Sequence, residues 1–190
     1  RAYLAAVGGF QARAQLGSVS VQLREGLGAA LAQGDVLRCA PASLDGCVSV
    51  PWPWQPDYRA KPLLRVIPGG DAVRFAEDQL DAFFQRGWQL SPASDRMGAR
   101  LLGEPLSVPA RQWSQGMSGG AIQVPADGQP IILQADRPTM GGYPLLGWLH
   151  PLDRGRLAQS PAHADLRFTP VSLSDAQDQL RECYRFFAKG

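Results

Sequence analysis

Two Asp-Arg pairs, Asp95-Arg96 and Asp136-Arg137, each stand beside a glycine-dependent turn. A guanidinium presents a planar fork of donors that matches a carboxylate or a phosphate, and a neighbouring carboxylate can hold that fork in one orientation. Asp136-Arg137 leads through Pro138, Thr139 and Met140 into Gly141-Gly142-Tyr143. Paired glycines let a backbone approach a ligand or a neighbouring strand closely, and their N–H groups can face an anion. Against this stands a plainer reading, in which Asp136 and Arg137 form a structural ion pair and the glycines serve only a turn. Arg96 has the same two readings: an anion binder, or a bidentate partner for a nearby carboxylate that pins its loop.

Other combinations carry less chemistry. His150 follows a strand-like run and His163 sits in a loop-like one, which makes neither a metal site nor a triad. Gly116-Met117-Ser118-Gly119-Gly120 matches G-x-S-x-G as text. A nucleophile elbow must lead from a strand into a helix, whereas this run leads into a strand. No Walker A motif is present, and no G-x-G-x-x-G opens a helix. Cys39, Cys47 and Cys183 are an odd number without C-x-x-C spacing, which argues against zinc and against a disulfide framework. Reduced thiols in a cytoplasmic protein fit better.

These groups need a scaffold, and the chain reads as β-rich. It has 190 residues, enough for one good core, with 21 glycines and 16 prolines punctuating short apolar runs. A net charge of +2, with its basic residues scattered, gives no argument for nucleic acid. No window reaches the roughly 18 apolar residues that a bilayer-spanning helix needs. Strands are expected at 3–7, 36–39, 63–67, 88–90, 99–102, 121–124, 130–135, 145–149 and 166–169. Asp127-Gly128 joins two of them as a hairpin turn. Helices are expected at 74–86, where Phe75, Leu80, Phe83 and Phe84 share a side, and at 153–159. A third follows Ser172, which forms a capping box with Asp175 and opens a stripe of Leu173, Ala176, Leu180, Cys183 and Phe187. That stripe predicts a packing face, with Cys183 as a small core residue. The proline-rich run 51–56 is expected to be a linker, with a new unit starting near Lys61-Pro62. The first residues read as a strand caught in mid-domain, as in part of a longer product.

Five runs then carry a resemblance: Arg65-Val66-Ile67-Pro68-Gly69, Ser94 to Gly98, Ser114-Gln115-Gly116, Gly120 to Leu133, and Ala135 to Pro144. In this order and spacing they resemble the carboxyltransferase subdomain A and B family. Its members include allophanate hydrolase subunit 2, the C-type subunit of 5-oxoprolinase, the regulator KipA and the carboxyltransferase part of urea carboxylase. The resemblance implies an all-β, cyclophilin-like barrel with a few peripheral helices. Residues 1–60 would be the tail of a first barrel plus linker, and residues 61–190 a complete second barrel.

It further implies a heteromeric hydrolase in which a B-type subunit (allophanate hydrolase subunit 1 or KipI-like) and an A-type subunit join this chain. Together they would open 5-oxoproline to glutamate with ATP. Arg96, Arg137 and Asp136 are the catalytic candidates. Asp95, Gln123, Thr139, Gly141, Gly142 and Tyr143 are the substrate-binding candidates, with both aspartates orienting the arginines and Gln123 reading an amide. Biotin enters only for the urea carboxylase type of carboxyltransferase, and a KipA-like regulator would have no activity of its own. The chain also departs from the family pattern. Pro138 and Met140 stand where an amide and a hydroxyl are usual, Gln115 where a carboxylate is usual, and Ala99 where an aromatic is usual.

Overall fold

The computed structural model of the chain describes residues 3–41, 43, 49–51, 55, 57 and 61–188. Cys47 and most of the run 51–56 lie outside them. The chain divides into two compact units, Arg1–Pro51 and Trp52–Gly190.

In the first unit the described backbone forms isolated bridges, Phe10 with Cys39, Gln15 with Ser18 and Gln22 with Leu27. The strands expected at 3–7 and 36–39 do not form. Their apolar side chains are exposed, Tyr3, Leu4 and Val36 among them. A strand is stabilised by a paired neighbour and a buried face; these runs have no buried face, and the pairing of 36–39 stops at the single Phe10–Cys39 bridge.

In the second unit, strands β1 (Leu63–Pro68), β2 (Trp88–Leu90), β3 (Gly98–Leu102), β5 (Ala121–Gln123), β6 (Ile131–Leu133), β8 (Leu145–Leu149) and β9 (Asp165–Pro170) close a barrel. The order round it is β1-β8-β5-β6-β3-β2-β9, and the parallel pairing of β9 with β1 closes the ring. Two-residue strands β4 (Gln115–Gly116) and β7 (Met140–Gly141) pair separately. Three α-helices complete it: α1 (Glu77–Gln85), α2 (Arg154–Gln159) and α3 (Leu173–Phe187).

The alternation of β1 and β9 explains the core. Leu64 and Val66, then Leu166 and Phe168, point inward and are buried. Phe83 of α1 stacks on Phe168 with ring centroids 4.9 Å apart, and Trp88 donates its indole N–H to the Phe83 carbonyl at 3.0 Å. The expected hairpin joins β5 to β6. Asp127 Oδ1 accepts the Gln129 N–H, and Gly128 sits at φ +71°, which only glycine adopts without strain. The first expected helix is shorter than its apolar pattern: a 3-10 turn at Ala72–Arg74 precedes α1, and Phe75 and Ala76 link them in extended conformation.

Helix α3 begins as expected, with Ser172 Oγ accepting the Asp175 N–H at 3.1 Å. Its stripe does not form the expected packing face. Ala176 is buried, Cys183 is half-buried, and Leu173 and Phe187 are more than half exposed. Periodicity creates an apolar face but supplies no layer to cover it.

One ion pair ties three elements together. Asp153, whose side chain is 1% exposed, accepts the Arg65 backbone N–H and Nε, each at 2.8 Å, and Arg65 Nη2 at 2.7 Å. Arg65 Nη1 also donates to Gln179 of α3. The Asp153 hydrogen bonds raise the guanidinium pKa. Beside this clamp, the buried His150 ring accepts the Leu152 N–H at Nδ1 and lies 3.2 Å from the Ala176 carbonyl at Nε2. The ring is therefore neutral with its proton on Nε2. Burial, then the Arg65 charge, lowers its pKa.

Asp153→Ala is expected to destabilise the fold by about 3 kcal/mol or more, because it strips a half-buried guanidinium of its partner; urea denaturation midpoints check this. A lowered His150 pKa means that the unfolded chain binds a proton more readily than the folded one. Its contribution to stability is present above about pH 6.5 and is lost as pH falls through the folded value. The drop in urea midpoint between about pH 7.5 and 5.5 should be smaller in His150→Gln than in the parent chain.

Candidate functional site

The β4–β7 pairing brings together two loops that lie far apart in sequence. Gln115 pairs with Gly141 and Gly116 with Met140, and the Met117 N–H then donates to the Thr139 carbonyl at 2.9 Å. This fixes Thr139, Gly141, Gly142 and Tyr143 against the segment before β5. Gly141 lies directly over Gln123, where a Cβ would sit 2.5 Å from Gln123 Nε2 and 3.0 Å from Met117 Cγ. Gln123 is 4% exposed, and its Nε2 has no hydrogen-bond partner among the described residues. An unpaired buried amide donor is costly and is suited to meet a carbonyl oxygen. The Tyr143 ring and the Met140 side chain are exposed at the rim.

The aspartates are used differently from the expectation. Asp136 does not pair with Arg137. It crosses to Arg96, with Nε to Oδ2 at 2.7 Å and Nη2 to Oδ1 at 2.8 Å, while its N–H donates to the Arg96 carbonyl. This is the bidentate geometry in which a carboxylate orients a guanidinium. Asp95, expected to orient an arginine, closes its own turn instead. Its Oδ1 accepts the N–H groups of Met97 at 2.8 Å and Gly98 at 3.0 Å. A short acidic side chain reaches the backbone two and three residues on more readily than it reaches a neighbouring guanidinium.

Arg137 points back across the β4–β7 pair. Its Nε donates to the Met117 carbonyl at 3.3 Å. Arg154, the first residue of α2, donates to the Gly119 carbonyl from the other side. A Cβ placed on Gly119 would lie 3.3 Å from Arg154 Nη1 and 3.6 Å from Arg137 Nη1. Burial, then the charge of Arg137, lowers the Arg154 pKa. Arg154 stands in a third Asp-Arg pair, Asp153-Arg154 followed by Gly155, which is the sequence signal that could have marked it; the turn of the chain after β8 brings it here.

Arg111 is a residue that the sequence does not reveal. Its side chain is 1% exposed, and Nη1 donates to Asp71 Oδ2 at 2.9 Å and to the Tyr143 carbonyl at 2.8 Å. Asp71 Oδ2 also accepts the Leu145 N–H at 2.9 Å. Arg111 Nε and Nη2 have no hydrogen-bond partner among the described residues, but the guanidinium lies over the Trp113 ring, 5.2 Å from its centroid. The ring face compensates part of that charge. Arg111 thus ties the Tyr143 loop to the barrel end.

None of the candidate residues lines the two clefts beside Lys61 and Asp165. Thr139, Met140, Gly142 and Tyr143 of the loop pair are exposed. Ser118 opens into β5, not a helix, and its Oγ accepts the Trp148 indole N–H at 3.0 Å, so no elbow forms. Among the described residues no three His, Cys, Asp or Glu side chains converge as a metal site. No helix among them is long and apolar enough to cross a membrane.

The closed β-barrel thus presents two cross-braced loops with Arg137 and Arg154 at their junction. The chain belongs to the family described as "Carboxyltransferase domain, subdomain A and B", which it matches over residues 1–170. It is 34% identical to the C-type subunit of 5-oxoprolinase from Escherichia coli, over 98% of its own length and 61% of that relative's. The crystal structure of TTHA0988 is similar with a TM-score of 0.74 and 31% identity, covering 87% of this chain and 32% of that one. The K. lactis urea amidolyase structure shares the fold at a TM-score of 0.76 and 23% identity, covering 94% of this chain and 12% of that one.

Gly141→Ala is expected to displace Gln123 and cost about 1–3 kcal/mol, read from the urea midpoint. Gly142→Ala, whose Cβ would meet nothing closer than Ser114 Oγ at an ordinary 3.4 Å, is expected to change stability by less than about 0.5 kcal/mol.

Proposed function

We propose that the chain is the C-type subunit of an ATP-dependent 5-oxoprolinase and works only with B-type and A-type partners. The observation that carries this reading is the 34% identity to a 5-oxoprolinase C-type subunit along 98% of the chain. The geometry is consistent with it. Gln123 Nε2 is an unpaired donor beneath the glycine loop and would meet a lactam carbonyl once the loop shifts to expose it. Arg137 would stabilise oxyanion charge, and Arg96, held by Asp136, would line the approach. The Gly142 backbone N–H, the Thr139 hydroxyl and the Tyr143 ring would complete the contact surface, with Gly141 holding the loop on β4.

The lactam oxygen accepts the γ-phosphoryl group of ATP, releasing ADP and making the ring carbon electrophilic. Water adds to that carbon, and the ring C–N bond breaks with the nitrogen taking a proton. A second water then releases inorganic phosphate from the acyl phosphate, leaving glutamate. An exposed loop surface cannot exclude bulk water from such intermediates, so a partner subunit must cover it. Dependence on ATP fits a cytoplasmic enzyme.

A second reading is favoured by the loop itself. Pro138 and Met140 are exposed and apolar where polar residues are usual, which suits a KipA-like regulator that binds a partner without turnover. Turnover separates the two. The full-length complex is expected to form glutamate from 5-oxoproline in an ATP-dependent manner, and Arg137→Ala should lower kcat/KM by about 10²–10³-fold. Undiminished turnover in that variant would remove Arg137 from the site, and absence of turnover in the parent complex would favour the regulator.

A further inference from the structure

Each of the arginines that meet at Gly119 has an aspartate next to it in sequence, and in each case the fold gives that aspartate to another arginine. Asp136, which precedes Arg137, is held by Arg96 in a bidentate pair. Asp153, which precedes Arg154, is held by Arg65 through both carboxylate oxygens. Arg137 and Arg154 are left with backbone carbonyls as partners, Met117 and Ala135 for the first and Gly119 for the second. Neither forms an ion pair with a carboxylate among the described residues. Like charges held this close repel, and the repulsion is stronger where water is partly displaced. The lowered pKa of Arg154 registers both effects.

Gly119 leaves room for the convergence. A side chain there would come within 3.3 Å of one guanidinium and 3.6 Å of the other, so glycine keeps the space between the forks open. A planar donor fork on each side of one gap matches the spread of lone pairs on an oxyanion.

We propose that Arg137, Arg154 and the gap at Gly119 form an oxyanion subsite that holds the carboxylate of the substrate acid. Arg154 then determines specificity, selecting a lactam that carries a carboxylate over a neutral amide. The identity of the acid rests on the function proposed above; the subsite itself rests on two guanidiniums that have backbone carbonyls but no carboxylate as partners. A phosphoryl group offers the same oxyanion chemistry, and the experiment separates the two sources.

The full-length complex, with the parent chain or with Arg154→Gln or Arg154→Lys, is titrated calorimetrically with 5-oxoproline, its neutral descarboxy analogue 2-pyrrolidinone, acetate and inorganic phosphate. Arg154→Gln is expected to weaken 5-oxoproline and acetate binding on the order of tenfold or more, with 2-pyrrolidinone unaffected and Arg154→Lys intermediate. Loss confined to phosphate would keep the oxyanion subsite but overturn the assignment to the substrate carboxylate. Equal losses for 5-oxoproline and 2-pyrrolidinone would show a merely structural role for Arg154, and no loss for any probe would overturn the subsite altogether. If the parent complex proves unable to turn over 5-oxoproline, the proposed function fails while the acetate and phosphate titrations still decide the subsite.

Discussion

The Arg65–Asp153 pair is the constraint on which the rest of the barrel unit turns. Asp153 is almost fully buried, and burying a carboxylate is unfavourable unless its oxygens are fully hydrogen-bonded. Three N–H donors from a single arginine of β1 meet that requirement. The same arginine reaches α3 through Gln179, and His150 reaches it through the Ala176 carbonyl. The end of β8, the start of α2 and the first turns of α3 are thereby held to one strand. With Asp153 fixed, the next residue, Arg154, has little freedom in where it enters the loop surface.

The loop surface itself is braced from the other side by short-range backbone pairing and long-range side-chain contacts. β4 and β7 are only two residues each, too short to persist alone. They hold because Arg96 and Asp136 lock one flank and Arg111 locks the other through the Tyr143 carbonyl. The result is a set of donors held in place by the fold itself. Preorganisation of this kind is what allows a polar surface to stabilise developing charge without reorganising.

Much of the scaffold was legible in the sequence. The strands at Leu63–Pro68 and Leu145–Leu149 follow from apolar runs bounded by proline and glycine, and the Asp127-Gly128 hairpin from its turn chemistry. Local signals of that sort depend on neighbours a few residues away, so they survive in one dimension. Most of the expectations that failed required knowledge of a distant partner; Asp95, which closes its own turn, failed for a local reason. Residues 3–7 and 36–39 have strand composition but no ladder in their unit, and the α3 stripe has helical spacing but little to cover it. The β4–β7 pair was invisible because two residues carry no periodicity.

The candidate site divides along the same line. From the sequence alone came the loop, its glycines, the candidate arginines and Gln123, together with the family that their order resembles. Tertiary structure alone decided how the charges are shared. Asp136 and Asp153 each lie beside an arginine in the chain, yet each satisfies its buried or half-buried oxygens with an arginine from a different strand or loop. Adjacent side chains in an extended or turning backbone point apart, whereas a guanidinium arriving from across the barrel can meet a carboxylate face to face. That exchange leaves Arg137 and Arg154 facing each other across Gly119, and no reading of neighbours in sequence could have placed them there.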